Sequence, residues 1–326
     1  LKTGSVAAIS AAATDRFNLL SSDLALGHVK KKDRVGWNVV DKDLDPERQY
    51  MLLYSALLQH DVPGMLRGLL PTHPQYRDLR NALSITPKTE TTKLNRIRLN
   101  MDRWRWLPHD LGRMYVLVNV AGYEMAVVEN NRAIEAMNVV VGKTGWETPI
   151  FADTMVDMVV NPSWHVPASI AAEEMADVSE DYLARNHFVR TSDGGYRQLP
   201  GPDNALGQFK FEFPNKDNIY LHDTPADALF SRSDRAFSHG CIRLERPRDL
   251  AYLLGEKLAG KSSNQIDRLV DTGDERVVKF RRKIPIYILY FTTWVDDNGT
   301  VRYHHDVYGH DEALQPQTQK FERRAT

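Results

Sequence analysis

The spacing of apolar residues changes period along the chain. Val6–Leu26 is an Ala/Leu-rich run followed by Gly27, which reads as a helix with a glycine at its C-terminal cap. After a charged connector over 29–34, Asp45-Pro46-Glu47 supplies an N-cap and a first-turn proline. Tyr50, Leu53, Leu57 and Leu58 then form an apolar stripe up to His60, expected to pack as core. Val62-Pro63-Gly64 is expected to break that helix. Further helices are predicted over 65–70 and from Pro74 to about Leu83, and a polar, Thr-rich linker follows over 84–92. Residues 1–91 therefore read as a helical scaffold domain. Residues 94–106 interleave Arg96, Arg98, Arg103 and Arg105 with Trp104 and Trp106, a pattern expected to pack its arginine stems and indoles on the domain that follows.

From Met114 the period falls to two. Strands are predicted over 114–120, 123–128, 133–141 and 155–160, with Asn130-Asn131 as a hairpin turn and Gly142-Lys143-Thr144-Gly145 as another. The character changes again over 166–207: an acidic helix is predicted over 171–184, then a stretch rich in Gly, Asp and Pro over 191–202. Such an excursion between strands reads as an inserted lid, placed at about 163–207. Phe209, Phe211 and Phe213 resume the alternation, Pro214 to Asp217 makes a turn, and 218–222 returns as a strand. Period two then puts Ile219 and Leu221 on one face and Tyr220 and His222 on the other. A helix over 247–254 closed by Gly255, and strands over 284–295 and 300–307 joined by Asp297-Asn298-Gly299, complete the pattern, with a frayed polar tail after Gln315. The expected fold class is α+β: a β-dominated, mostly antiparallel domain with few helices over 92–326, the helical scaffold before it and the lid within it.

Acidic and basic residues nearly cancel, 43 against 42, so no global field points to nucleic acid. The apolar fraction of 42% suffices for a proper core. Residues 1–13 are too short and too weakly apolar to span a bilayer, and the chain starts without methionine, so a membrane anchor ahead of it is compatible with the sequence. Neither the acidic residues of 171–184 nor His304, His305 and His310 have ligand spacing; adjacent histidines on a strand face opposite ways, so no metal or cofactor is expected.

Cys241 is the only cysteine in 326 residues. It follows Ser238-His239-Gly240, and His222 lies upstream on the predicted strand. A thiol nucleophile needs a base to form its thiolate and a small neighbour to admit an acyl group. His222 is the candidate base. The backbone N–H groups of Gly240 and Cys241 are candidate oxyanion donors, with Tyr220 as a possible addition; loss of one such donor costs roughly 2.7–4 kcal/mol in comparable sites. His239 is assigned positioning or substrate contact, Ser238 positioning, and a backbone carbonyl is expected to orient His222. For Arg243 the alternatives are a surface ion pair with Glu245 or recognition of a substrate carboxylate; for Trp146 and Trp164, packing or a substrate platform.

His222, a spacer over 223–237 and then Ser238-His239-Gly240-Cys241-Ile242 resembles the catalytic motif of the L,D-transpeptidases, the YkuD-type domain of bacterial cell-wall enzymes. Arg243 stands where many members carry Asn. Asn161-Pro162-Ser163-Trp164, Phe213-Pro214-Asn215 and Tyr220-Leu221-His222-Asp223-Thr224-Pro225 resemble the large, YcbB-type subgroup, where Arg is usual at that position. The resemblance covers roughly residues 92–312. It implies a cysteine acyltransferase of the periplasm or cell envelope. Cys241 would be acylated by a peptidoglycan tetrapeptide stem with release of D-alanine, and a second stem's side-chain amine would accept the acyl group in a 3–3 cross-link. It also implies acylation by carbapenems and a capping subdomain at the insertion. The subgroup usually carries a small peptidoglycan-binding domain near 84–92, for which the linker leaves no room. Competing readings are another acceptor, water included, a wall-binding scaffold protein with a degenerate site, and an unrelated cysteine protease.

Overall fold

The computed structural model describes residues 5–41 and 43–317, so the expected frayed tail lies, from 318 on, outside the described residues. The described residues form two compact units, one from the stretch up to 112 together with 291–317, the other of residues 113–290. The sequence places the domain boundary at 91/92 with everything after it in the second domain; in the structure residues 291–317 group with the helical unit.

The helical unit contains α1 (Val6–Leu26), α2 (Pro46–Leu58), α3 (Val62–Arg67), α4 (Pro74–Ile85) and α5 (Thr91–Trp104). Gly27 follows α1 at φ 81°, and Asp45 caps α2 by accepting the Arg48 N–H. Asp61 caps α3 and Pro63 sits in its first turn, so the predicted break is a helix start. The stripe on α2 is not core: Tyr50, Leu57 and Leu58 are exposed, and Ala56 is the residue that α2 buries. At the end of α5 Trp104 stacks on Phe291 at 4.7 Å between centroids, and Trp106, two residues further on, is fully buried. Arg103, buried beside them, pairs with Asp311 at 2.6 Å. No helix among the described residues is long and apolar enough to cross a membrane.

The second unit is built on β1 (Met114–Asn119), β2 (Glu124–Glu129), β3 (Arg132–Gly142), β4 (Phe151–Val160), β5 (Trp164–His165), β6 (Phe188–Arg190), β7 (Tyr196–Gln198), β8 (Phe209–Glu212), β9 (Leu221–His222), β10 (Ala236–Ser238), β11 (Ile242–Leu244) and β12 (Arg276–Leu289). Nine strands run in the order β10-β3-β11-β9-β8-β4-β12-β1-β2, and β2 also pairs with β3, so the sheet closes on itself. Pairing is antiparallel except for β1 with β12, β3 with β10 and β9 with β11. Asn130 and Asn131 both take positive φ at the β2–β3 turn, as a two-residue hairpin requires. β12 starts at Arg276, well before the predicted 284, because Val278 and Phe280 point inward while Val277, Lys279 and Arg281 face outward. The helix Pro247–Leu254 does not stop at Gly255; a π-turn carries it to Gly260 at φ 65°.

The insertion is a small layer of its own. β5, β7 and β6 form a three-stranded sheet against two short helices, Ala168–Glu174 and Glu180–Arg185. Val166, Ile170, Met175 and Leu183 make its core. The single helix expected over 171–184 is broken because Ser179 starts a second one, accepting the Tyr182 N–H.

Candidate functional site

Two adjacent strands carry the site. β9 pairs in parallel with β11, placing Leu221 beside Ile242 and His222 beside Arg243. Tyr220, His222, Cys241 and Arg243 therefore fall on one face by the period-two rule. The Ile242 N–H donates to the Tyr220 carbonyl at 3.1 Å, fixing the approach of the cysteine turn to β9. The entry to β9 is set by Asn215. Its Nδ2 donates to the Phe213 and Ile219 carbonyls, and its Oδ1 accepts the Asp217 and Ile219 N–H groups. That network is what Asn215 contributes in the Phe213-Pro214-Asn215 run.

His222 is only 5% exposed. Its Nδ1 lies 2.5 Å from the Asp223 carbonyl oxygen, the backbone partner expected to orient it. Burial, then the Arg243 cation, pulls its pKa down to about 3, so the imidazole is neutral at neutral pH. Burial pushes the Cys241 thiol the other way, above its ordinary value. Two donors from Tyr220, its backbone N–H and its hydroxyl, oppose that rise at Sγ. The thiol itself faces the Asn218 carbonyl at 3.7 Å. Tyr220 is hydrogen-bonded in turn to the side chain of Trp164 on β5. An indole only donates, so the insertion reaches the thiol through a Trp164–Tyr220–Cys241 chain. Trp164 also packs edge-on against Phe188 in the insertion core.

The cysteine turn is pinned from inside. Ser238 Oγ accepts the Gly240 N–H at 3.1 Å and donates to the Cys241 carbonyl at 2.5 Å. The Gly240 N–H, expected as an oxyanion donor, is therefore held by Ser238, and the Cys241 N–H is the remaining backbone candidate. Gly240 has φ 108°, and a Cβ there would meet Ile219 Cδ1 at 3.3 Å, so the position requires glycine. Thr148 ties the turn to β3: its hydroxyl donates to the Gly240 carbonyl at 2.7 Å and accepts the Gly142 N–H at 2.9 Å.

His239 points away from this line. Its ring meets Trp146 edge-on at 5.0 Å, and its Nε2 faces Glu174 of the insertion at 3.4 Å. Lys143 reaches the neighbouring Glu173 at 3.4 Å. Arg243 does not pair with Glu245, which instead bonds Asn138 and Arg246; its electrostatic neighbours are Cys241 and Glu174. Sequence reasoning missed Thr148, Lys143, Glu173 and Glu174. Glu173 and Glu174 stood inside an acidic run with no signal of what they face, and Thr148 carries no motif. No cluster of His, Cys, Asp and Glu able to hold a metal ion occurs among the described residues.

The L,D-transpeptidase catalytic-domain family model matches residues 113–278, and a scaffold-domain model matches residues 2–83. A putative L,D-transpeptidase of Haemophilus influenzae is 26% identical over 295 residues, covering 82% of this chain; the chain spans 59% of that relative's length. Among solved structures, an L,D-transpeptidase from Mycobacterium smegmatis is 14% identical with a TM-score of 0.28, over 54% of this chain and 58% of that one. L,D-transpeptidase 3 from Mycobacterium tuberculosis, in complex with a faropenem-derived adduct, is 15% identical with a TM-score of 0.29, over 54% and 60%. A family match over half the chain, falling on the unit that carries His222 and Ser238-His239-Gly240-Cys241, makes this chain a member of the L,D-transpeptidase (YkuD-type) family.

Proposed function

We propose that this chain is a peptidoglycan L,D-transpeptidase with Cys241 as nucleophile and His222 as general base. The observation that carries the reading is the placement of both side chains on one face of the parallel β9–β11 pair, with two Tyr220 donors on the sulfur. With the imidazole neutral and the thiol pKa raised, the resting pair is uncharged, and the proton moves during attack. Nδ1–H is committed to the Asp223 carbonyl, which leaves Nε2 to take the Sγ proton. The sulfur attacks the carbonyl of the third residue of a tetrapeptide stem. The Cys241 N–H is the backbone donor for the resulting oxyanion. Collapse breaks the C–N bond, His222 returns the proton to the departing D-alanine amine, and a thioester remains. The side-chain amine of a second stem then attacks the thioester and gives a proton to His222. The acyl group passes into a 3–3 cross-link and the thiol is restored.

The same thiol would open the four-membered ring of a carbapenem and retain it as an acyl adduct. The insertion over 163–207, joined to Tyr220 through Trp164, caps the site, and the helical unit acts as a scaffold. The setting is the periplasm or cell envelope, where peptidoglycan stems are available. The test is intact-protein mass after incubation with a carbapenem, for the wild-type chain and Cys241→Ala, followed by turnover of a disaccharide-tetrapeptide. One adduct on wild type and none on the variant is the expected result. An unmodified wild type that also leaves the tetrapeptide untouched would overturn the reading in favour of a wall-binding scaffold with a degenerate site; release of D-alanine without cross-linking would make water the acceptor.

A further inference from the structure

The charge pattern that ends at Cys241 begins on the strand beyond β9. Lys210 on β8 stands opposite His222 in the antiparallel β8–β9 register. Its Nζ lies 4.3 Å from the centroid of the Tyr220 ring. On its own strand it pairs with Glu212, Nζ to Oε1, at 2.5 Å, and the lysine side chain is 20% exposed. Glu212 in turn faces Asp157 across the β4–β8 register. Burial first, and Glu212 next, hold the Asp157 carboxyl above the usual range, with Lys279 opposing.

A cation on the face of a phenol is attracted by the ring's negative face and draws electron density from it, which makes the hydroxyl a stronger donor. The Tyr220 hydroxyl is one of the two Tyr220 donors on Sγ. Lys210 thus stands behind the group that holds the sulfur, on the side opposite Arg243. The groups facing Cys241 are Tyr220 just before β9, Lys210 on β8 and Arg243 on β11, with Glu174 of the insertion beyond Arg243 and His222 beside Arg243 in the β9–β11 register. Those facing Lys210 are Glu212 on its own strand, Tyr220 and His222 across the β8–β9 register and, beyond Glu212, Asp157.

We propose that Lys210 is a positioning residue for the thiol chemistry of this site: its ammonium, seated on the face of Tyr220, strengthens the Tyr220 hydroxyl as a donor to Cys241 and favours the sulfur whenever it carries negative charge. This rests on the reading of Cys241 as the nucleophile. In the sequence Lys210 was only a polar residue between two phenylalanines; the register with β9 gives it a role.

The test is the pH dependence of Cys241 alkylation by iodoacetamide, followed by intact mass, in the full chain, with Cys241→Ala as the blank. Lys210→Met is expected to raise the midpoint by about half a unit to one unit, slowing alkylation at neutral pH roughly three- to tenfold. Lys210→Arg should restore most of the rate, which a purely structural role for the lysine stem would not produce. An unchanged midpoint in Lys210→Met, or a Lys210→Arg as slow as Lys210→Met, overturns the proposal. Should Lys210→Met fail to fold, Glu212→Gln decides: freeing the ammonium from its counter-ion should lower the midpoint, and a midpoint that stays or rises overturns it. A wild-type chain whose Cys241 is not alkylated at any pH would remove the nucleophile reading and this proposal with it, an outcome separate from the variant comparisons.

Discussion

His222 holds its Nδ1 on the carbonyl oxygen of Asp223, 2.5 Å away, while the ring is shut from solvent. The carbonyl can only accept, so the proton sits on Nδ1 and the lone pair on Nε2. With the pKa pulled to about 3 by burial and Arg243, the ring is neutral through the weakly acidic range, the form that the proposed general base requires. The expected outcome is a kcat/KM profile for the donor without an acid limb between about pH 5 and 7, and a loss of roughly 10²–10⁴-fold in His222→Gln. An inflection near 6.5 in wild type that vanishes in the variant would mean the ring titrates as if solvated.

Ser238 and Thr148 make the cysteine turn a cross-braced unit. Ser238→Ala removes the acceptor of the Gly240 N–H and the donor to the Cys241 carbonyl; Thr148→Val removes the bonds to the Gly142 N–H and the Gly240 carbonyl. Both hydroxyl-bearing residues are buried, so each change leaves buried groups unpaired, at a cost of about 1–3 kcal/mol. Urea unfolding should show it in both variants. Ser238→Ala should in addition lower acylation by the carbapenem, since the Cys241 carbonyl and the Gly240 N–H both lose their anchor. A Ser238→Ala as stable as wild type would mean that water replaces the hydroxyl.

How much of this could be read from the sequence depends on whether a feature is local. Gly27, Asp45 and Asn130-Asn131 act on their own backbone, and their helix end, cap and turn stand where the pattern put them. The same local logic placed Tyr220 and His222 on one face. The α2 stripe failed because helical spacing says which residues share a face, not whether another element covers it; Tyr50, Leu57 and Leu58 face outward. The early start of β12 was hidden because charged side chains outnumber Val278 and Phe280 over its first half. At the site, the bond from the Gly240 N–H to the Ser238 hydroxyl was hidden because the two groups meet only when the turn closes. Lys143 with Glu173, His239 with Glu174 and Lys210 with Tyr220 are contacts between segments distant in sequence, which spacing cannot show.

Glu173 and Glu174 join the end of an insertion helix to Lys143 and His239 beside the cysteine turn. Glu173, Glu174 and Lys143 are well exposed, 45%, 52% and 38%, and such pairs contribute at most about 1 kcal/mol each, screened by salt. That is weak enough for the insertion to lift. The Glu173→Gln/Glu174→Gln double variant is expected to react with iodoacetamide at Cys241 up to about fivefold faster at low ionic strength. Raising the salt should close the gap by speeding the wild type. Equal rates at low salt would show that the apolar contacts of Trp164 hold the insertion, not its charges.

Acid stability follows from imidazoles that must stay neutral. His73 stacks on Trp104 at 4.2 Å and accepts the Gln75 N–H on Nδ1 at 3.2 Å, a bond that protonation would abolish. Burial pulls its pKa to about 4; the same cause, followed by Arg96 and Arg302, brings His304 to about 4. In the unfolded chain both would titrate near about 6.5. The unfolded state therefore takes up protons first as the pH falls, so the stability from these groups is fully present above about 6.5 and is lost as the pH descends toward about 4. The effect is on the order of 2 kcal/mol per residue, an upper figure for partly buried rings. Urea unfolding at pH 7.5 and pH 5 should show a lower midpoint at pH 5, and His73→Gln, which cannot charge, should narrow the difference. A pH-independent midpoint in wild type would place both rings in contact with water, contrary to the packing of His73 between Trp104 and the start of α4.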